Sequence, residues 1–185
     1  MTILIDIDDT IENLCEEWCK LLNKKYECNV DYKQVTDWDI SKFFPNLTRE
    51  QVFEPLHHPE IWYLLKPKKG ATKYIKKLID DGNDIYLCTS TDYRNIKPKY
   101  EGVIQRYFPY IKWSQVIVTS NKQMIKADIL IDDGVHNLVG GDYKKILITA
   151  PHNSLYNAEA NGMYRADNWK SVYKTIKSIR GMNEN

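Results

Sequence analysis

The chain has 185 residues, of which 43% are hydrophobic and 28% charged, and a formal net charge of +1, enough for one packed domain carrying an inserted lobe. The near-neutral balance argues against a general nucleic-acid-binding surface, and no apolar run approaches the ~20 residues of a membrane span. The four cysteines form no CxxC pair and suggest no disulfide framework, and nothing at the N-terminus reads as a signal peptide, so the expectation is a cytoplasmic protein.

The first element is "ILIDIDDT" (Ile3 to Thr10), an apolar strand running into aspartates at positions 6, 8 and 9. Three adjacent carboxylates at the end of a buried strand need a cation or a shared proton. From about Ile11 to Pro67 there are too many residues for one crossover helix. "TIENLCEEWCKLLNKKY" has Leu14, Trp18, Leu21 and Leu22 on one helical side, and Cys15 and Cys19 share a face at i,i+4 as buried thiols. "TREQVFEPL" (Thr48 to Leu56) reads as a second helix, opened by a Thr cap with Gln51 three residues on. The interval is therefore expected to be a mostly helical lobe inserted after the first strand.

Beyond it, "GATKYIKKLIDDG" (Gly70 to Gly82) is an amphipathic helix with Gly82 as its C-terminal cap. Four more short apolar runs read as strands buried on both faces: "DIYLCTS" (84–90), "QVIVTS" (115–120), "ADILIDD" (127–133) and "KILITA" (145–150). Trp169, Val172, Tyr173, Ile176 and Ile179 are spaced for a closing helix. Alternating strands and helices predict an α/β, Rossmann-like three-layer core around a central parallel sheet, comprising residues 1–10 and 68–185, with the lobe at 11–67.

In such a sheet, ligands bind beyond the carboxyl ends of the strands. The strand ends offer Asp6 and Asp8, then Thr89 and Ser90, then Thr119 to Lys122, then Asp132 and Asp133. Each alone is bland: a DxD can cap the next helix, through Asp9 or Thr10 here, and "DDG" is an ordinary turn. All four in order, each directly after a buried strand, point to a site whose hard oxygen ligands suit Mg²⁺ and a phosphate.

These motifs, "DIDDT", "LCTS", Lys122 and "LIDD", resemble the four motifs of the haloacid dehalogenase-like (HAD) phosphatase superfamily. The finer resemblance is to its 5'(3')-deoxyribonucleotidases, through "LCTS", Lys122 ten residues before Asp132, "HPEIWYLLKPKKGA" (58–71) and the tail "PHN…ADNW". The lobe resembles their helical cap in position and size; those enzymes usually carry Gly, then Val, where this chain has Asp9 and Thr10. The resemblance implies a Mg²⁺-dependent phosphatase acting on a small phosphomonoester, a (deoxy)nucleoside monophosphate above all, through an aspartyl-phosphate. Asp6 would be the nucleophile and Asp8 the proton donor and acceptor. Thr89 and Lys122 would bind phosphate oxygens, joined by Ser90 and by Lys99, which resembles a second phosphate-binding lysine. Mg²⁺ would take Asp6, the Asp8 carbonyl and Asp133, with Asp132 behind it. Trp62 matches an aromatic position near the base; core packing is the competing reading, as it is for Trp18, Trp38, Phe43 and Phe44. His152 in "PHN" is expected to order a loop, and His57, His58 and His136 show no ligand spacing. The same chemistry on a sugar phosphate, on another small phosphomonoester or on a nucleic-acid 3' end is the alternative, as is a non-catalytic Mg²⁺ or nucleotide-binding module. A homodimer stays open.

Overall fold

The computed structural model describes residues 1–183. Six strands form one sheet: β1 (Thr2–Ile5), β2 (Asp84–Thr89), β3 (Val116–Val118), β4 (Ile129–Asp132), β5 (Lys144–Ile148) and β6 (Tyr164–Ala166). All pair in parallel, in the order β3-β2-β1-β4-β5-β6. β1 therefore lies at the centre, where the winding of the sheet reverses and a crevice opens beyond the carboxyl ends.

The apolar runs of β1, β2, β4 and β5 end up here because both sheet faces are covered; β3, expected to be buried on both faces, is instead a half-buried edge strand with Val118 exposed. Along β1, Ile3 and Ile5 pack into the larger core while Leu4 packs into a second, smaller one on the opposite face, as the two-residue period of a strand requires. The larger core takes α4 (Ala71–Asp80) through Ile75 and Leu78, and α7 (Trp169–Asn183) through Val172 and Ile176. The smaller core takes Leu138 of the short α6 (Val135–Leu138). Gly82, at φ +83°, ends α4 as the expected cap.

Between β1 and α4 the chain makes a helical excursion with α1 (Leu14–Tyr26), α2 (Arg49–Phe53) and α3 (Glu60–Leu64), with two 3₁₀ turns between the first pair and one between the second. Thr48 and Gln51 form the expected reciprocal capping box at α2. At its base the chain leaves and returns side by side: Glu12 and Pro67 form an isolated antiparallel bridge, and the Lys68 N–H donates to the Ile11 carbonyl at 2.9 Å.

Three local features depart from the sequence pattern. α1 starts at Leu14, because Asp9 takes φ +51° and turns the chain before a helix can begin. The pattern gives no helix between β2 and β3, yet α5 (Tyr93–Lys99) runs there with Pro98 inside it and continues as a π-helical turn, Tyr100–Gln105. β6 is a polar edge strand whose three residues pair with β5 alone, too short to show a period.

Candidate active site

Asp6 follows β1 directly, and its N–H donates to Ile131 of β4 at 2.9 Å, so the aspartate leaves the sheet at its centre. Lys122 sits on a 3₁₀ turn after β3, 1% exposed, and its ammonium bridges Asp6 and Asp132, the latter at 2.6 Å. Asp132 also accepts from the Gly134 N–H at 2.8 Å and the Asn137 amide at 3.0 Å. Asp133 accepts from the Thr10 hydroxyl at 3.0 Å and pairs with His152 Nε2 at 3.2 Å. Its carbonyl accepts from the Asn153 amide at 2.8 Å, so the "PHN" loop does order this corner. Lys99, on the last turn of α5, is fully buried, with its Nζ 2.7 Å from Asp8 Oδ2 and 3.2 Å from Thr89 Oγ1.

Electrostatics follow from this packing. Burial pushes the Asp6 carboxyl well above the ordinary carboxylate range; Lys122 opposes the shift, while Asp132, Asp133 and Asp8 add to it. For Asp133 burial acts the same way but is outweighed by His152, Lys68 and Thr10, which hold it below its ordinary value. Burial disfavours the Lys122 ammonium, yet Asp6 and Asp132 overcome it and raise its pKa. Asp6, Asp132 and Asp133 each offer an oxygen within 4.8 Å of the others, a set of hard donors with the spacing of a small divalent cation's ligands.

A cavity of about 700 Å³ opens over these groups. Its floor includes Asp6, Asp8, Ser90, Lys122 and Asp133; its walls are apolar side chains of the helical excursion, among them Leu14, Trp18, Ile40 and Phe53. At its rim stand Arg49, paired with Asp39 at 2.8 Å, and Trp38, whose ring meets His136 and His152 edge-on at 4.5 and 5.0 Å. One end is thus charged and built for an anion with a cation, and the rest is apolar and of small-molecule size.

Of the residues singled out in the sequence, Asp6, Lys122 and Asp132 form one bonded group and Asp8, Lys99 and Thr89 a second, while Asp133 lies within 4.8 Å of Asp6 and Asp132 and Ser90 lies on the cavity floor. Trp62 is elsewhere: it is buried and absent from the cavity lining, and its ring lies under the Lys99 ammonium, 4.5 Å from Nζ to the ring centre. Phe44 is core, whereas Trp18 and Trp38 face the cavity. Cys19 is buried as expected, but Cys15 is half-buried and lines the cavity.

Three contributors carried no sequence signal of their own. Glu12 is buried with neither carboxyl oxygen bonded to a donor among the described residues, and burial followed by the neighbouring Asp8 and Asp9 raises its pKa well above the usual range. Lys68, indistinct within a basic run, donates to the Asp9 carbonyl. Arg49 belongs to the solvent face of a short helix by pattern and reaches the cavity through the tertiary fold.

The model of the family described as "5' nucleotidase, deoxy (Pyrimidine), cytosolic type C protein" matches residues 1–182. A 5'(3')-deoxyribonucleotidase of Bacillus subtilis is 31% identical over 175 residues, covering 94% of this chain and 97% of the relative. One of Clostridium acetobutylicum is 28% identical, covering 97% and 96%. Among solved structures, a HAD family hydrolase from Deinococcus radiodurans with bound phosphate and sodium superposes with a TM-score of 0.61 at 10% identity, covering 89% of each chain. A Bacillus subtilis protein of the same fold bound to magnesium gives 0.59 at 13% identity, covering 94% of this chain and 97% of that one.

Proposed function

The chain belongs to the family of deoxy (pyrimidine) 5' nucleotidases of cytosolic type C, phosphatases on the HAD fold, and on that footing we propose that it hydrolyses (deoxy)nucleoside monophosphates with Mg²⁺ through an aspartyl-phosphate. The observation that carries this reading is Asp6, a buried carboxylate at the central strand end, on the floor of the cavity and within the three-carboxylate cluster.

Lys122 holds Asp6 by Oδ1, which leaves Oδ2 to attack phosphorus as the bond to the leaving oxygen breaks. Asp8 gives its proton to that oxygen; later it takes one from the water that attacks the acyl phosphate, freeing phosphate and restoring Asp6. Thr89, Ser90 and Lys122 supply donors to the phosphate oxygens, where charge accumulates in the transition state, and Lys99 adds positive charge from behind while holding Asp8 and Thr89. Asp6, Asp133 and the Asp8 carbonyl would hold Mg²⁺. The cavity lining favours Asp133 over Asp132, which lies beneath and is engaged by Lys122, Gly134 and Asn137. The bound ion would supply Lewis-acid screening between the anionic phosphate and the carboxylates.

Residues 11–67 act as the cap, hinged at the Glu12–Pro67 bridge. Their apolar walls would take the sugar and base while the floor takes the phosphate. The curated relatives are named as deoxyribonucleotidases, which favours deoxy substrates.

The test is phosphate release from a panel of deoxy- and ribonucleoside monophosphates, sugar phosphates and an aryl phosphate, with Mg²⁺ and with chelator. Mg²⁺-dependent release strongest on deoxynucleotides is expected, abolished in Asp6→Asn with the fold retained. Full turnover by that variant refutes the nucleophile, and activity on sugar phosphates alone refutes the substrate class.

A further inference from the structure

The buried position of Trp62 leaves a question that the cavity does not answer. We propose that Trp62 is a positioning residue for Lys99, its indole face pressing the ammonium onto Asp8 and Thr89, and that it is not a platform for the substrate's base. The proposal deepens the phosphatase reading and rests on it for the role of Lys99.

Lys99 Nζ has three N–H donors. Two are directed to Asp8 Oδ2 at 2.7 Å and Thr89 Oγ1 at 3.2 Å, and the remaining side is covered by the Trp62 ring. With the lysine side chain fully buried, the ring face takes the place that water would otherwise hold, the arrangement in which a cation–π contact is strongest. The indole N–H of Trp62 is itself buried without an acceptor among the described residues. A phenylalanine would fill the site without stranding that donor, so hydrogen bonding does not account for the tryptophan, whereas its stronger ring face does.

The surrounding backbone fixes this geometry. Gly102 lies on the π-helical turn directly after Lys99, and a Cβ there would stand 2.5 Å from the Trp62 carbonyl oxygen, so α3 and the turn meet backbone to backbone. The Arg106 guanidinium donates to the Tyr63 carbonyl at 3.0 Å, and the Tyr63 hydroxyl donates to Glu101 at 2.9 Å. Trp62 and Lys99 therefore face each other across a riveted seam, to which the π-helical turn that follows Lys99 also belongs.

The test is a double-mutant cycle on Trp62→Leu and Lys99→Met, read by the affinity for inorganic phosphate and by kcat/KM on an aryl phosphate that carries no base. W62L should weaken both by roughly tenfold, about the loss of a desolvated cation–π contact. Trp62→Phe, which keeps a ring, should recover most of the loss. In the K99M background W62L should add less than about twofold, since residues that act through one another are not additive. Additive losses overturn the proposal. So do unchanged phosphate and aryl phosphate values with a raised KM for nucleotides alone, the signature of a base platform, and so does a wild type that binds no phosphate. Should W62L not fold, the wild-type Lys99 ε-methylene NMR signal, assigned by its loss in K99M, decides: the ring should shift it upfield, and an ordinary lysine position overturns the proposal. A wild type that binds phosphate with the predicted coupling but hydrolyses no ester refutes the hydrolase reading alone.

Discussion

Removing and restoring a divalent cation should change the protein's stability by an amount the site sets. Asp6, Asp8, Asp132 and Asp133 share the ammonium groups of Lys99 and Lys122 and, beside Asp133, the His152 ring, so four carboxylates meet three basic partners. Without a cation this is unfavourable, and the sign can be followed through Asp6. Its folded pKa is raised above its ordinary value by burial, so the unfolded chain ionises more readily. In chelator, stability should therefore fall as the pH rises from about 4. A bound cation reverses this, because it competes with the proton and gains affinity as the carboxylates ionise. At a Mg²⁺ concentration 100 times its dissociation constant the gain is about 2.7 kcal/mol. For a chain of this length that is about 5–11 °C in Tm. Thermal unfolding in EDTA and in a Mg²⁺ series at pH 6, 7 and 8 measures it, with Asp133→Asn as control: the variant should gain less from Mg²⁺ than wild type. Equal wild-type midpoints in EDTA and in 10 mM Mg²⁺, about 10 mM being ample for a millimolar site, would refute the reading of the cluster as a cation site.

Lys122→Met leaves Asp6 and Asp132 buried without their shared counterion and should cost about 3–5 kcal/mol in urea unfolding under chelator; a loss below about 1 kcal/mol contradicts the pairing. Burial first, opposed by Lys68 and reinforced by Asp133, pushes the Asp9 carboxyl up to about 7; a carboxyl with a raised folded pKa loses its stabilising protonated form as pH rises, so its contribution falls between about pH 4 and 7. Asp9→Asn should flatten the stability profile across that window, and a slope equal to wild type rules the assignment out. Trp38 is 57% exposed at the cavity rim, so Trp38→Ala should leave stability within about 0.5 kcal/mol while raising KM for nucleotides by roughly tenfold, as expected for loss of a stacked base; an equal rise on sugar phosphates would place Trp38 outside base recognition.

The core was legible because its signals are local. Three of the buried strands, β1, β2 and β4, are short runs of Ile, Leu and Val that end in or run directly into a polar residue of the site, so the run and the chemistry could be read together. Asp6, Thr89, Lys122 and Asp132 owe their positions to backbone that the pattern identifies. The cavity walls were less legible, because which aromatic faces the ligand depends on how helices of the excursion pack on the sheet. Trp18 and Trp62 both sit in apolar helical patterns, yet one lines the cavity and the other lies under Lys99. Lys99 itself was ambiguous for a physical reason. Pro98 beside it argues against a helix, and the π-helical turn that follows changes the register, so no 3.6-residue period shows which way the lysine points.

The aspartate at position 9, where the sequence departs from the motif it resembles, has a structural use. The backbone there has φ +51°, the left-handed conformation in which glycine is at ease and in which Asp is among the better-tolerated alternatives. Glycine at this place would satisfy the turn and offer the same backbone carbonyl, but no side-chain acceptor. Asp9 satisfies it and its side-chain oxygens also accept the Cys15 N–H, at 3.0 and 3.2 Å, in the first turn of α1. Its carbonyl takes the Lys68 ammonium at the other side of the Glu12–Pro67 bridge. The residue next to Asp8 is thereby tied to the first helix of the lobe and to the segment by which the chain returns from it. Asp6 and Asp8 can keep their positions with either residue, because the turn Asp9 imposes is one that glycine would adopt. What the substitution changes is how firmly the base of the lobe is anchored to the strand that carries the chemistry.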